Sequence, residues 1–306
     1  MPSTNENRSI LVKPLPKYMA MLSREGIEAG VTVDKQTGQN ISWTIDPSVE
    51  LPIKLGVDPS CISSRPPITL IDQFALTVQK HRTRPALSVK RGGSYKVWTW
   101  DDYFTDVQRF AQAAIASGLQ LHQCVSIIGF NRPEWVIANI GAIFAGGMAA
   151  GIYTTNKSEA TAYIANHSES VTVVVEDSVQ AEKFIFEKQK LSQLSTFVQR
   201  SGDISPEHQA TGLVITWEQF LLRGDDSKNI DQKTPFRDLL HKRIAAQHPG
   251  HCCNLIYTSG TTGNPKAVML SHDNCTWTAA AALSEIDITC EDVFVSYLPL
   301  SHVAAQ

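Results

Sequence analysis

The sequence predicts an α/β fold, with parallel sheet flanked by helices. Two observations carry that expectation. Short β-rich runs (CVSIIGF, VTVVVE, GLVIT) alternate with stretches of helical spacing, as successive β-α units require. The composition, 42% apolar, 19% charged and 8% aromatic, is that of an ordinary globular chain. At roughly 150 residues per domain, the length leaves room for about two domains.

The first sixty residues are broken by Pro, Gly and polar positions and read as an extension lying over a domain. From Ile68 the pattern sharpens. ITLIDQFALTVQKH has helical spacing, and PALSV, Gly92-Gly93 and YKVWTW read as a hairpin. Asp101 opens a helix whose apolar face is Phe104, Val107, Phe110, Ala111, Ala114 and Ile115, closed by Gly118. CVSIIGF is a buried strand. A helix then starts at Pro133 with Asn131 as its cap and Glu134 at the positive dipole end, and Gly146-Gly147 stops it. Met148 to Tyr153 is a short strand, and SEATAYIANH is a helix capped by Ser158. VTVVVE is a strand and SVQAEKFIFEKQK a solvated amphipathic helix. A polar stretch from Ser201 to Ala210 leads to GLVIT and another helix.

Several classes fall away. With 27 basic and 30 acidic residues the net charge is −3, which gives no large basic surface for nucleic acid. The six cysteines contain no C-x-x-C pair, and the nine histidines show no metal-ligand spacing, so no metal site is expected. Sparse cysteine and a polar N-terminus without a signal-peptide profile fit a cytoplasmic protein. Trp135 to Asn156 carries no charge and includes Gly147 and Gly151 as a G-x-x-x-G, the pattern of a membrane span. Asn139, Asn156 and four glycines within it argue instead for a helix followed by a strand, with no transmembrane span.

The most informative stretch runs from Asn254 to Asn274. Leu255, Ile256 and Tyr257 end a buried strand; Thr258, Ser259, Gly260, Thr261, Thr262, Gly263, Asn264, Pro265 and Lys266 follow; Val268 to Leu270 form a second strand. Glycines let the backbone turn its N–H groups inward and make an anion-binding concavity. The hydroxyls can donate to phosphate oxygens, and Lys266 adds a point charge. The order differs from a Walker loop, where the lysine precedes Ser/Thr and opens a helix. A plain polar hairpin turn is the bland alternative on composition alone.

TSGTTGNPK followed by VMLSH resembles the phosphate-binding signature of the adenylate-forming superfamily. GFNRPEWVIANIGAIFAGGMAAGIYTTN and SYLPLSHVAAQ are similar to the bubblegum-type long-chain acyl-CoA synthetases. The likeness runs from about Ile68 to Gln306. It implies residues 1–67 as an N-terminal extension and 68–306 as a partial AMP-binding domain. The fold it implies is the incomplete N-terminal domain of an adenylate-forming enzyme, with the C-terminal portion absent. It also implies ATP, Mg2+ and coenzyme A, with a long-chain fatty acid converted through an acyl-adenylate to a thioester. Peripheral association with the endoplasmic reticulum is part of the same implication. The oligomeric state is left open.

The family's magnesium-contacting acid, ribose aspartate and adenylation lysine would lie beyond Gln306, so no catalytic residue is assigned. A non-catalytic truncated or partial product, binding nucleotide weakly or serving as an interaction fragment, is therefore the rival reading. Exposed apolar surface is expected in either case. His302 in LPLSH matches a family histidine near the acyl and adenylate pocket, or is a structural loop histidine. His272, beside Ser271, is expected to be structural, Cys252 and Cys253 core filler on opposite faces, and Trp135 packing. Ala267 stands where the family usually has glycine. It would cost about 1–2 kcal/mol at a positive φ and nothing in an extended strand.

Overall fold

The computed structural model describes residues 44–229, 234–258, 263–302 and 305. Helix α1 (Leu70–His81) is started by Thr69, whose hydroxyl accepts the Asp72 N–H at 3.0 Å. Strands β1 (Pro85–Arg91) and β2 (Ser94–Thr99) form a separate antiparallel hairpin. Gly92 and Gly93 both have positive φ, as a two-residue hairpin turn demands. Helix α2 (Trp100–Ala116) begins one residue before the expected Asp101. Thr99 and Asp102 satisfy each other's backbone N–H in a capping box. Its stripe Val107, Phe110, Ala111, Ala114 and Ile115 is buried, whereas Phe104 is half-buried.

The predicted alternation continues through β3 (Cys124–Ile128), α3 (Pro133–Phe144), β4 (Met148–Ile152), α4 (Ser158–His167), β5 (Ser170–Val175) and α5 (Ser178–Phe186). Gly146, at φ 81°, ends the α3 turn, so the uncharged run is split between a helix and a strand. Among the described residues no helix is long and apolar enough to cross a membrane. Two expected caps are corrected. The cap position of α3 is Arg132, without a side-chain bond, because the Asn131 amide is engaged elsewhere. Ser158 is the first residue of α4, and Lys157 holds the cap position.

The chain goes on through β6 (Thr196–Gln199), α6 (Pro206–Ala210), β7 (Val214–Thr216), α7 (Trp217–Arg223) and α8 (Phe236–Ala245). It then forms β8 (Cys252–Thr258), β9 (Lys266–Ser271) and α9 (His272–Glu285). β6, α6 and α8 were not among the predicted elements. β6 is short and takes its strand character from pairing with β5 and β7 on either side. α8 buries only Phe236 and Leu240, too weak a stripe to read by periodicity.

The seven strands run β7-β6-β5-β3-β4-β8-β9. All neighbours are parallel except β9, which returns antiparallel beside β8. The 259–265 connection is too short for the crossover that a parallel return needs. One core packs on each face. α1, α2, α3, α7 and α8 cover one, around Phe110, Trp135, Phe144 and Phe220. α4 and α5 contribute to the other, around Val173, Phe184 and Phe197. Trp135 is packing, as expected, and Cys252 and Cys253 fill opposite cores. Burial pushes the Cys252 thiol up to about 12, which makes it a poor nucleophile. After α9, Val293, Phe294, Val295 and Tyr297 are exposed, in keeping with the expected apolar surface.

Candidate functional site

Strand order locates the site. The chain steps from β3 outward to β4, and from β5 the opposite way through β6 to β7. The direction reverses between β3 and β5, and open α/β sheets hold ligands at the carboxyl ends of the strands at such a point. The segments after β3, β4, β5, β6 and β8 all leave from this edge.

The segment after β8 carries the predicted phosphate-binding residues. Ser259, Gly260, Thr261 and Thr262 lie outside the described residues; Thr258, Gly263, Asn264, Pro265 and Lys266 are described. Thr258 ends β8, Lys266 begins β9, and the two face each other in register. Lys266 is exposed at the root of the loop. Gly263 has φ 97°, and among the described residues nothing stands within 4 Å of a Cβ added there, so its backbone conformation favours glycine. Ala267 pairs with Tyr257 inside β9 and is not among the described non-glycine residues of positive φ, which are His122 and Glu169. The left-handed alternative for Ala267 is therefore excluded.

The hairpin is anchored at its far end. Ser271 and Asn274 form a capping box at the start of α9. His272 is fully buried, accepts the Leu70 N–H at Nδ1 (3.2 Å) and meets Gln247 Oε1 through Nε2 (3.1 Å). An imidazole with Nδ1 as acceptor and Nε2 as donor is neutral. Burial, with a smaller contribution from His251, pushes its pKa from 6.5 down to about 3. The structural role expected for His272 holds.

The segment after β3 is built differently. The Arg200 side chain, 2% exposed, donates from Nη2 to Phe130 O at 2.7 Å and pairs with Glu176 Oε1 at 3.2 Å. Glu176 Oε2 accepts the Phe130 N–H at 2.8 Å. Gly129 makes room for this clamp, since a Cβ there would stand 2.6 Å from Arg200 Nη2. Asn131 then reaches the 296–300 segment. Its Nδ2 donates to Ser296 O, Ser296 Oγ and Leu298 O at 3.0, 2.9 and 2.7 Å, and its Oδ1 accepts the Leu300 N–H at 3.1 Å.

His302 follows in the same segment. Its ring is exposed, its N–H donates to Pro299 O at 2.9 Å, and its carbonyl accepts the Ala305 N–H at 3.0 Å. Ser301 is buried against β4, where a Cβ on Gly151 would lie 2.6 Å from Ser301 Cα. Gly151 pairs with Ile256 of β8, so the His302 segment rests on the strand beside the one that ends at Thr258. Sequence reading missed Gly129, Asn131, Gly151, Glu176 and Arg200 as parts of this site. The available signal was position: Gly129, Glu176 and Arg200 each follow the last residue of a strand in the sheet.

Among the described residues no group of three His, Cys, Asp or Glu side chains is placed to hold a metal ion. A cavity of about 280 Å³ between the β1–β2 hairpin and α2, α3 and α7 is lined by Arg91, Lys96, Trp98, Glu134 and Trp217. It contains none of the predicted site residues.

The AMP-binding enzyme family matches residues 74–306. Long-chain-fatty-acid–CoA ligase ACSBG2 of Xenopus laevis is 40% identical over 258 residues, covering 83% of this chain and 33% of that protein. The human ligase ACSBG1 is 37% identical over 258 residues, covering 83% of this chain and 34% of that protein. The chain thus spans about a third of the length of the curated relatives it matches. Two solved structures share the fold. The fatty acyl-adenylate ligase of L. pneumophila, in complex with acyl adenylate and pyrophosphate, aligns at a TM-score of 0.56 and 19% identity, over 79% of this chain and 36% of its own. The A-PCP didomain of carboxylic acid reductase from Segniliparus rugosus, in complex with AMP, gives 0.60 and 16%, over 78% of this chain and 37% of its own. The resemblance carried by TSGTTGNPK is matched along most of the sequence, and the chain belongs to the AMP-binding enzyme family.

Proposed function

We propose that this chain forms the phosphate-holding part of an ATP-dependent long-chain fatty acid–CoA ligase. In the reaction, a fatty carboxylate attacks the α-phosphate of ATP and pyrophosphate leaves; the coenzyme A thiol then displaces AMP from the acyl-adenylate. A carboxylate is activated this way because AMP is a far better leaving group than oxide. Residues Thr258 to Lys266 would hold the β- and γ-phosphates, with backbone N–H groups and hydroxyls as donors and Lys266 as the cation. That grip keeps the departing pyrophosphate in line with the attacking oxygen. His302 would stand on the acyl and adenylate side.

Magnesium would neutralise part of the phosphate charge. Residues 68–306 would form the partial AMP-binding domain, with 1–67 as its extension. Leu51 N–H to Gly250 O at 3.1 Å and the Arg65–Asp273 pair at 3.6 Å tie part of that extension to the domain. A cytoplasmic location with peripheral attachment to the endoplasmic reticulum suits a long-chain substrate.

One observation carries the reading: Lys266 faces Thr258 across a glycine-bearing loop at the carboxyl end of β8, an interior strand next to the sheet edge. The test is equilibrium binding of MgATP and of oleate to the chain and to Lys266→Ala. MgATP affinity should fall about tenfold, roughly the worth of one charge-assisted contact, with oleate unchanged. Equal loss for both ligands, or loss for neither, would remove Lys266 from the phosphate site.

A further inference from the structure

We infer that Asn131 is a positioning residue: it fixes the Ser296–His302 segment, on an Arg200–Glu176 brace, and so sets where the acyl-side wall stands relative to the phosphate loop. The functional half of this statement rests on the nucleotide reading above. The mechanical half stands on the hydrogen bonds alone.

The Asn131 side chain is oriented by its partners. Leu300 N–H can only donate, so the atom facing it is the amide oxygen; the carbonyls of Ser296 and Leu298 can only accept, so the nitrogen faces them. One side chain thus organises backbone groups 165 to 169 residues away in sequence. Its own backbone is fixed from the opposite side, since the preceding residue, Phe130, has its N–H on Glu176 and its carbonyl on Arg200. Arg200 is anchored beyond β6, Glu176 beyond β5 and Asn131 beyond β3. Three strand ends therefore act as one support.

The segment is also seated from below. Leu300 and Ser301 are buried, and Ser301 rests on Gly151, whose missing Cβ would also stand 3.2 Å from Trp135 Cζ2. A segment gripped by Asn131 and seated on Gly151 has little freedom. The exposed His302 ring that follows inherits that placement. The Asn131 contacts all fall on the Ser296–Leu300 stretch, so the proposed support acts on that wall of the site.

The experiment compares the chain with Asn131→Ala, Asn131→Asp and Gly151→Ala. Amide exchange of Leu300 and His302 is measured, together with affinity for MgATP and for a dodecyl-sulfamoyl adenosine, a stable mimic of an acyl-adenylate. In Asn131→Ala the Leu300 and His302 amides should exchange about tenfold faster while those of β3 keep their protection. The adenylate mimic should bind about tenfold more weakly and MgATP within about twofold of the parent. Asn131→Asp keeps the acceptor for Leu300 but turns a carboxylate oxygen toward the Ser296 and Leu298 carbonyls, so it should lose at least as much as alanine. Gly151→Ala lifts the same segment with Asn131 intact and should show the same selective loss. Unchanged exchange at Leu300 and His302 in Asn131→Ala, or equal weakening of both ligands in every variant, overturns the assignment. If the parent chain binds neither ligand, the nucleotide reading fails, and the exchange measurement still decides whether Asn131 holds the segment.

Discussion

The segments that follow β3 and β8 leave the same edge of the sheet and are built on opposite principles. Around Phe130 and Asn131 polar groups turn to protein partners, with Arg200 Nε a buried exception: a guanidinium, a carboxylate and a side-chain amide bridge three strand ends to a distant segment. At the β8–β9 hairpin Lys266 is exposed, and Gly263 takes a positive φ that favours glycine. A surface that must grip its own chain uses up its donors. A surface proposed to receive phosphate keeps its charge available, as Lys266 does. The difference separates support from reception along a single edge.

The largest effect should come from acid acting on the anchor behind the hairpin. His272 folds with a pKa of about 3 against an ordinary 6.5, held down by burial. Folding therefore selects the neutral ring. Its contribution is full above pH 6.5 and is lost as pH falls toward 3, amounting to roughly 5 kcal/mol across that window. A proton on Nδ1 would also set two N–H groups, that of Leu70 and its own, against each other. His122, His241 and His251 are shifted the same way by burial and add to the slope. In urea titrations from pH 7 to 4, His272→Gln should reduce the pH slope of stability by about one proton. An unchanged slope would mean that His272 is not the buried neutral group described.

The next effect belongs to the support. Arg200→Met leaves the Glu176 carboxylate with the Phe130 N–H but without its cation, and leaves Phe130 O without its Arg200 donor. Breaking such a buried pair should cost about 3 kcal/mol, read from urea midpoints. A change below about 0.5 kcal/mol, the usual scale for surface positions, would place the pair on the surface in energetic terms. Gly129→Ala should cost about 1–3 kcal/mol, because Gly129 has φ 153° and its methyl would meet Arg200 Nη2 and the Glu176 Cβ at 2.6 and 2.9 Å. In the double variant with Arg200→Met that cost should shrink, since one of the obstructing groups is gone.

The smallest effect is expected at Ala267. In an extended strand, glycine there relieves nothing and loosens the backbone, so Ala267→Gly should destabilise by about 0.5–1 kcal/mol. MgATP affinity should stay within about twofold, inside the scatter that a few tenths of a kcal/mol produces. A several-fold gain in affinity would show that the methyl group obstructs the loop, contrary to its place opposite Tyr257.

These contrasts also explain what could be read without coordinates. The hairpin residues are contiguous, and a run of Gly, Ser, Thr and Lys betrays its chemistry in one window. The β1–β2 hairpin and the strands β3, β4, β5 and β8 were legible for the same local reason. Asn131 was misread because Asn before a helix that starts with Pro is a good cap by propensity. Its partners at 296–300 could only be supplied by the fold. Gly151 looked like part of a helix-packing motif, yet its need for glycine comes from Ser301. β6 escaped because TFVQ carries little pattern by itself, and pairing on both sides makes it a strand.

The central claim, that the carboxyl edge near β8 receives the triphosphate, is tested most directly by mapping amide hydrogen exchange across the chain with and without MgATP. Protection should concentrate in residues 258–266, with weaker slowing in the segments that leave β3 and β4 at the same edge. The β1–β2 hairpin and the cavity beside Trp98 should be unaffected. Protection centred on that cavity with none in 258–266 would contradict the account.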